Sequence, residues 1–184
     1  MSGTTLEKPA AARELTKRRL SIFPTEMGWM AIIGNAGIVD SVFIGHPSAA
    51  AVRRTLHPSA ATESIAESDW CPRLRKALQD YSRGQRVDFA EFELHLPERT
   101  TFRDKVLAVT RRLAYGTTTT YGQLARDVGH PGAARAVGTV MSTNRFPILI
   151  PCHRVLAAGG KLGGYTSPVG TDLKQRLLDM ERSA

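Results

Sequence analysis

The stretch Asn144-Arg-Phe-Pro-Ile-Leu-Ile-Pro-Cys-His-Arg-Val155 holds both the chemistry of this chain and the key to its architecture. Pro147 and Pro151 bracket the apolar run Ile148-Leu149-Ile150, which reads as a short buried strand delivering one cysteine, Cys152, to its end. His153 follows at once. Neighbouring side chains on an extended strand point to opposite faces, so this thiol and imidazole cooperate only if the backbone turns or a water joins them. Pro151 gives a reason for a turn. A thiol that can pass its proton to an imidazole becomes the thiolate that attacks carbon electrophiles. A bare Cys-His pair is more often a packed thiol beside a surface histidine. The assignment therefore rests on what surrounds the pair.

Upstream, Thr120-Tyr-Gly-Gln123 matches the Ser/Thr-x-x-Glu/Gln capping box, which predicts a helix from Thr120 to near Gly129. Pro131 suits the first turn of a second helix running to about Thr143. Two short helices joined by Gly129-His130 outline a helix-turn-helix. On a wheel, Ala133, Val137, Val140 and Met141 share one face of the second helix, while Arg135, Thr139 and Ser142 fall opposite. A surface of small residues around one long cation can lie close in a nucleic-acid groove. Further upstream, Thr100 to Leu113 reads as a helix with Phe102, Val106, Val109 and Leu113 on one stripe.

Downstream, Gly159-Gly-Lys-Leu-Gly-Gly-Tyr165 lacks the Gly-Lys-Ser/Thr ending of a phosphate loop and reads as a tight turn positioning Tyr165 and Thr166. A last helix from about Thr171 sets Leu173 and Leu177 at one edge of its apolar face and Leu178 at the other, with Glu181 between them. A carboxylate there is costly unless paired, and it opposes the helix dipole. Either the helix end frays and leaves Glu181 in water, or Glu181 takes an imidazole N–H and fixes the tautomer of His153.

The first half reads differently. Leu20 to Phe23, Gly28 to Ile33 and Ile38 to Ile44 are strand candidates, separated by Pro24 and by Gly34-Asn35 with Gly37, and they predict an antiparallel meander. Ser48 to Leu56 and Pro72 to Arg83 have helical periodicity, and Val87 to Leu96 reads as a last strand. Nothing in this half concentrates titratable groups, so it is expected to act as scaffold. Pro97-Glu-Arg-Thr100 marks the expected boundary, giving a scaffolding domain over 1–97 and a domain over 98–184 that carries the cysteine. Residues 1 to about 18 read as a loosely held lead-in.

Composition fits that division. The 184 residues carry a net charge of +8, with 13 basic and 12 acidic side chains in residues 1–99 but 12 and 5 in residues 100–184. A basic half around a reactive cysteine points to a polyanionic partner, nucleic acid first. Cys71 and Cys152 are the only cysteines, and their spacing resembles neither a metal site nor a disulfide framework. Cys71 is expected to pack as a core thiol. No run is apolar enough to span a membrane, and the N-terminus lacks the layout of a secretory signal. A reducing compartment is expected, the cytoplasm, or the nucleus in a eukaryote.

Taken together, Arg135-Ala-Val-Gly138, Asn144, Pro147-Ile-Leu-Ile-Pro-Cys-His-Arg-Val155 and Gly163-Gly-Tyr165 resemble the O6-alkylguanine-DNA alkyltransferases, also called methylated-DNA-protein-cysteine methyltransferases. The resemblance covers about residues 100–184. It implies an α+β protein: an N-terminal ribonuclease-H-like sheet with helices, and a mainly helical C-terminal domain with a winged-helix-like helix-turn-helix. It implies that Cys152 takes an alkyl group from guanine O6 irreversibly, that His153 deprotonates it through a water, that Glu181 orients His153, and that Asn144 braces the turn. Tyr121 would assist the departing guanine at N3, and Arg135 would fill the gap left by the extruded nucleotide. Ala133, Ala134, Gly138 and Thr139 would meet the minor groove of double-stranded DNA, and Tyr165 and Thr166 would line the base pocket. No cofactor and no metal are expected, and the protein is expected to act as a monomer, with clustering on DNA left open. The chain departs from the family's usual pattern at Arg145 (usually Pro), at Arg103-Asp-Lys-Val106-Leu107 (often Gln-x-x-Val-Trp) and at Ala114 (commonly Pro). None of these is a reacting group. Two other readings compete: a damage-recognition protein without transfer, whose kind replaces the cysteine, and a cysteine hydrolase, which would have to turn over.

Overall fold

In the computed structural model, which describes residues 17–56, 65–96 and 101–183, three antiparallel strands form the centre of the first half. They are β1 (Arg19–Thr25), β2 (Gly28–Asn35) and β3 (Ile38–His46), joined as the expected meander. The β2–β3 turn places Ala36 and Gly37 both at positive φ, the backbone that a two-residue hairpin requires. Helix α1 (Ala49–Leu56) follows, then a short β4 (Ala66–Glu67) parallel to β1, then helix α2 (Pro72–Ser82). A short β5 (Glu93–Leu94) runs parallel to β3 and completes a mixed sheet of order β4-β1-β2-β3-β5.

Alternation along β2 sends its side chains to two cores. Ala31 and Ile33 pack with Leu20, Val52 and Leu56 beneath α1. Met30 and Ile32 face the other way and join Leu74, Leu78 and Tyr81 of α2. This second core does not stop at the sheet, because it includes Val106, Val137, Ile150, Cys152 and Leu173 from the second half. The expected domain boundary at residues 97 and 98 lies outside the described residues.

The second half is helical. Helix α3 (Thr101–Arg111) is followed by β6 (Thr119–Thr120), α4 (Tyr121–Asp127) and α5 (Ala134–Ser142), then a 3-10 turn (Cys152–Arg154), β7 (Val155–Leu156), a second 3-10 turn (Ala158–Gly160) and α6 (Thr171–Arg182). Strands β6 and β7 pair in parallel, and this brings the start of α4 beside the end of the Cys152 turn.

Several local expectations need correction. Ile148-Leu149-Ile150 is buried but is a turn, not a strand: Ile150 N–H reaches the Phe146 carbonyl at 2.8 Å, and Ile148 takes φ 73°. Its apolar character came from burial on all sides, which strands and buried turns share. Val87 to Leu96 pairs only at Glu93–Leu94, since Asp88 Oδ1 accepts from Ala90 N–H at 2.8 Å and folds the chain into a turn that sends Phe89 and Phe92 to one core. Pro24 lies inside β1, where β4 covers only Arg19 and Leu20, so a missing N–H at Pro24 breaks no pairing on that side. Helix α5 starts at Ala134, because Gly132 at φ 92° ends the turn that Pro131 begins. On α3 the buried stripe centres on Val106, Leu107 and Thr110, with Phe102 and Val109 at its edge.

Candidate active site

The thiol sits at the first position of the 3-10 turn, where Cys152 N–H closes back on the Ile150 carbonyl at 2.7 Å and Arg154 N–H on the Pro151 carbonyl at 3.0 Å. The backbone therefore bends between Cys152 and His153. Cys152 is 7% exposed and His153 is fully buried. Asn144 spans the loop before them. Its Nδ2 donates to the Ile150 carbonyl at 2.9 Å and to Cys152 Sγ at 3.2 Å, while its Oδ1 accepts from Phe146 N–H at 3.0 Å. Burial raises the thiol pKa, and the Asn144 N–H and the charge of Lys174 oppose that rise by stabilising the thiolate.

Behind the imidazole lies one carboxylate. His153 Nε2 is 2.9 Å from Glu181 Oε1, and Glu181, on the last turn of α6, is itself buried. Arg154 donates from Nε to Oε2 at 2.9 Å and from Nη2 to Oε1 at 2.7 Å, the Tyr81 hydroxyl donates to Oε1 at 2.5 Å, and Gly116 N–H donates to Oε2 at 3.1 Å. Burial alone would raise this carboxyl, but the hydrogen bonds from His153, Arg154 and Tyr81 outweigh it and hold Glu181 well below the usual carboxylate range. Glu181 is thus an anion. An anionic acceptor fixes the hydrogen of His153 on Nε2, which leaves Nδ1 with the lone pair. Nδ1 is buried and has no hydrogen-bond partner in the protein. Burial lowers the pKa of His153, against the pull of Glu181.

Two aromatic side chains face this centre. Tyr121, the first residue of α4, is half-buried, and Thr120 caps that helix by accepting from Gln123 N–H at 3.1 Å. The expected reciprocal bond from Gln123 is not made, because its amide bonds Asp127 and Arg126 instead. Gly163, at φ 65°, runs so close that a Cβ there would lie 3.2 Å from the Tyr121 hydroxyl, so a larger residue would be strained and would press on that ring. Tyr165 is half-buried at the other end of the same loop, and Thr166 Oγ1 ties the loop to the Ser142 carbonyl at 3.0 Å. Asn144, Tyr165 and Thr166 line a groove of about 1630 Å³ that continues along β3 past Val42 and Ile44.

The remaining predicted residues lie outside the hydrogen-bonding shell of the sulfur. On α5, Arg135 and Thr139 are exposed, Ala134 and Gly138 are half-buried, as is Ala133 just before the helix, and Val137, Val140 and Met141 face the core. Sequence alone assigns no part to three buried polar side chains of the site, Tyr81, Arg154 and Lys174. Lys174 donates to the Val155 and Leu162 carbonyls, and burial brings its pKa down to about 8. A signal existed for two of them. Tyr81 continues the Leu74, Leu78 spacing of α2 and Lys174 shares the buried side of α6 with Leu178; a polar tip on such a face must find a partner. Among the described residues no three His, Cys, Asp or Glu side chains gather as a metal site would need, and no helix is long and apolar enough to cross a membrane.

Comparison with known proteins places this arrangement in company. A family profile described as 6-O-methylguanine DNA methyltransferase, DNA binding domain, matches residues 101–183. The chain is 41% identical over 109 residues to the methylated-DNA–protein-cysteine methyltransferase of Methanosarcina acetivorans, covering 59% of this chain and 67% of that protein. To the protein of the same name from Metallosphaera sedula it is 39% identical over 123 residues, 67% of this chain and 75% of that one. The fold matches the crystal structure of Mycobacterium tuberculosis O6-methylguanine methyltransferase with a TM-score of 0.74 and 28% identity, over 90% of this chain and 93% of that one. The same match holds for a crystal structure of the Mycobacterium tuberculosis protein in complex with DNA. The likeness in sequence to these relatives, across two thirds to three quarters of their length, shows that the chain belongs to the methylated-DNA–protein-cysteine methyltransferase family.

Proposed function

We propose that this protein repairs DNA by moving the alkyl group of O6-alkylguanine onto Cys152, irreversibly and once per molecule. One observation carries the reading: a sulfur that accepts an amide N–H, next to an imidazole whose Nε2 is committed to an anionic carboxylate. The thiol proton passes through a water to Nδ1 of His153, and Glu181 stabilises the imidazolium that results. The thiolate then attacks the alkyl carbon, so that a C–S bond forms while the bond to guanine O6 breaks and its electron pair stays with the base. Burial and the neighbouring sulfur raise the pKa of Tyr121, which keeps its hydroxyl protonated and able to donate at N3 of the leaving guanine. The product is a thioether. No group in the site can expel it, so the protein is consumed.

Double-stranded DNA is the proposed partner, met through its minor groove by α5. Its small outward residues Ala134 and Gly138 allow close approach, and exposed Arg135 can enter the stack where the target nucleotide leaves it. Tyr165 and Thr166, at the end of the loop that packs on Tyr121, would line the pocket for the extruded base. Mass mapping after exposure to O6-methylguanine duplex tests the reading. One added methyl on Cys152 is expected; tight binding without an adduct would favour damage recognition alone, and repeated turnover would favour a hydrolase.

A further inference from the structure

Tyr81 lies in the half of the chain that carries the sheet, 72 residues from His153 and 100 from Glu181, yet its hydroxyl meets both. The ring is fully buried on α2 and stands edge-on to Phe89, at 5.7 Å between centroids, and to Tyr115, at 6.1 Å. Its hydroxyl is 2.5 Å from Glu181 Oε1 and 3.2 Å from His153 Nε2. A phenol has one proton to give. With Glu181 anionic and the phenol's own pKa pushed well above 10.0 by burial and by Glu181, that proton stays on Tyr81 and points at Oε1. Toward His153 the same oxygen can then only accept. Both neighbours of Nε2 therefore demand a hydrogen on it.

We infer that Tyr81 is a positioning residue for alkyl transfer: its hydroxyl holds His153 in the tautomer with Nδ1 basic and draws on the Glu181 charge that the imidazole would otherwise feel in full. The inference rests on the proposed transfer to Cys152. The charged or titratable groups around the ring are Glu181 and Lys174 from α6, Arg154 and Cys152 from the 3-10 turn, Tyr81 from α2 and Tyr165 from the glycine-rich loop, whose buried hydroxyl interacts with Cys152, Tyr81 and Glu181, with Tyr115 stacked under Arg154 at 5.7 Å. Of these, Tyr81 is the neutral donor that competes with His153 for one carboxylate oxygen. Removing its hydroxyl leaves Oε1 with more charge for the imidazole, which raises the basicity of Nδ1.

The test is the pH dependence of single-turnover transfer from O6-methylguanine duplex to the whole protein, for the wild type, Tyr81→Phe and Phe89→Leu. Rates should fall in acid as His153 takes up its proton. In Tyr81→Phe the acid midpoint should move up by about one unit. Phe89→Leu loosens the ring without touching the hydroxyl and should leave the midpoint in place. Site-specific 3-fluorotyrosine at 81, a more acidic donor that keeps the ring, should move the midpoint down. A midpoint unmoved in both hydroxyl variants, or moved as far by Phe89→Leu, overturns the role of Tyr81. Failure of the wild type to form a Cys152 adduct would instead overturn the transfer reading beneath it.

Discussion

Asn144 does two things with one amide. Bonds to the Ile150 carbonyl and from Phe146 N–H shape the loop, and the second Nδ2 hydrogen is left for the sulfur. Because burial works against the thiolate, that hydrogen bond matters most when Cys152 is charged. Asn144→Ala should slow transfer by about tenfold to a hundredfold, on the scale of one hydrogen bond to a charged group; single-turnover kinetics that match the wild type would deny the amide this part. Acid should also act on stability through the same cluster. The folded pKa of Glu181 lies well below its ordinary 4.5, so its contribution is complete above that value and is lost as the pH falls through the folded pKa. His153 has a folded pKa below 6.5, so from about that pH downward the unfolded chain takes up a proton that the native state resists. Both effects have one sign. The melting temperature should decline from about pH 6.5 into acid, and Glu181→Gln should flatten the part below pH 4.5 while costing about 3–5 kcal/mol at neutral pH, because Arg154 is left buried without its anion. An acid slope unchanged by Glu181→Gln would mean that the charge lies elsewhere.

At the scale of elements, α5 separates a core face from the face proposed to meet DNA. Val137, Val140 and Met141 are buried and Arg135, Thr139 and Ser142 are exposed, as the wheel predicts. Arg135→Ala should therefore weaken transfer from duplex DNA more than transfer from free O6-benzylguanine; equal losses would count against a role in the groove. Much of this level was legible because helices and meander strands write their period into the chain. The turns were less so. The loop from Pro147 to Pro151 is buried on every side, and a segment without a polar face shows no period that distinguishes a turn from a strand. Ile148 adds a second reason, since a β-branched residue at φ 73° runs against local preference and is held there by burial and by the Ile150 to Phe146 bond.

For the whole molecule, the first half is more than a scaffold for the second. One apolar core joins Met30, Leu78 and Tyr81 to Ile150, Cys152 and Leu173. Hydrogen bonds reinforce it, with Val42 N–H on the Arg145 carbonyl at 2.8 Å and Arg145 Nη2 on the Asp40 carbonyl at 2.8 Å. Contacts of this kind join residues about a hundred positions apart. Local spacing therefore could not reveal them, although it singled out Cys152, His153 and Glu181 as candidates and the resemblance gave them their expected roles. The proposed function depends on a sulfur that reacts once and is not regenerated. The measurement that bears on it most directly is a titration of O6-methylguanine duplex against a known amount of protein, followed by mapping of the modified residue. Repair should stop at one lesion per active molecule, with the methyl on Cys152 and none transferred by Cys152→Ala. Repair continuing past one equivalent, or a methyl found on any other residue, would contradict it.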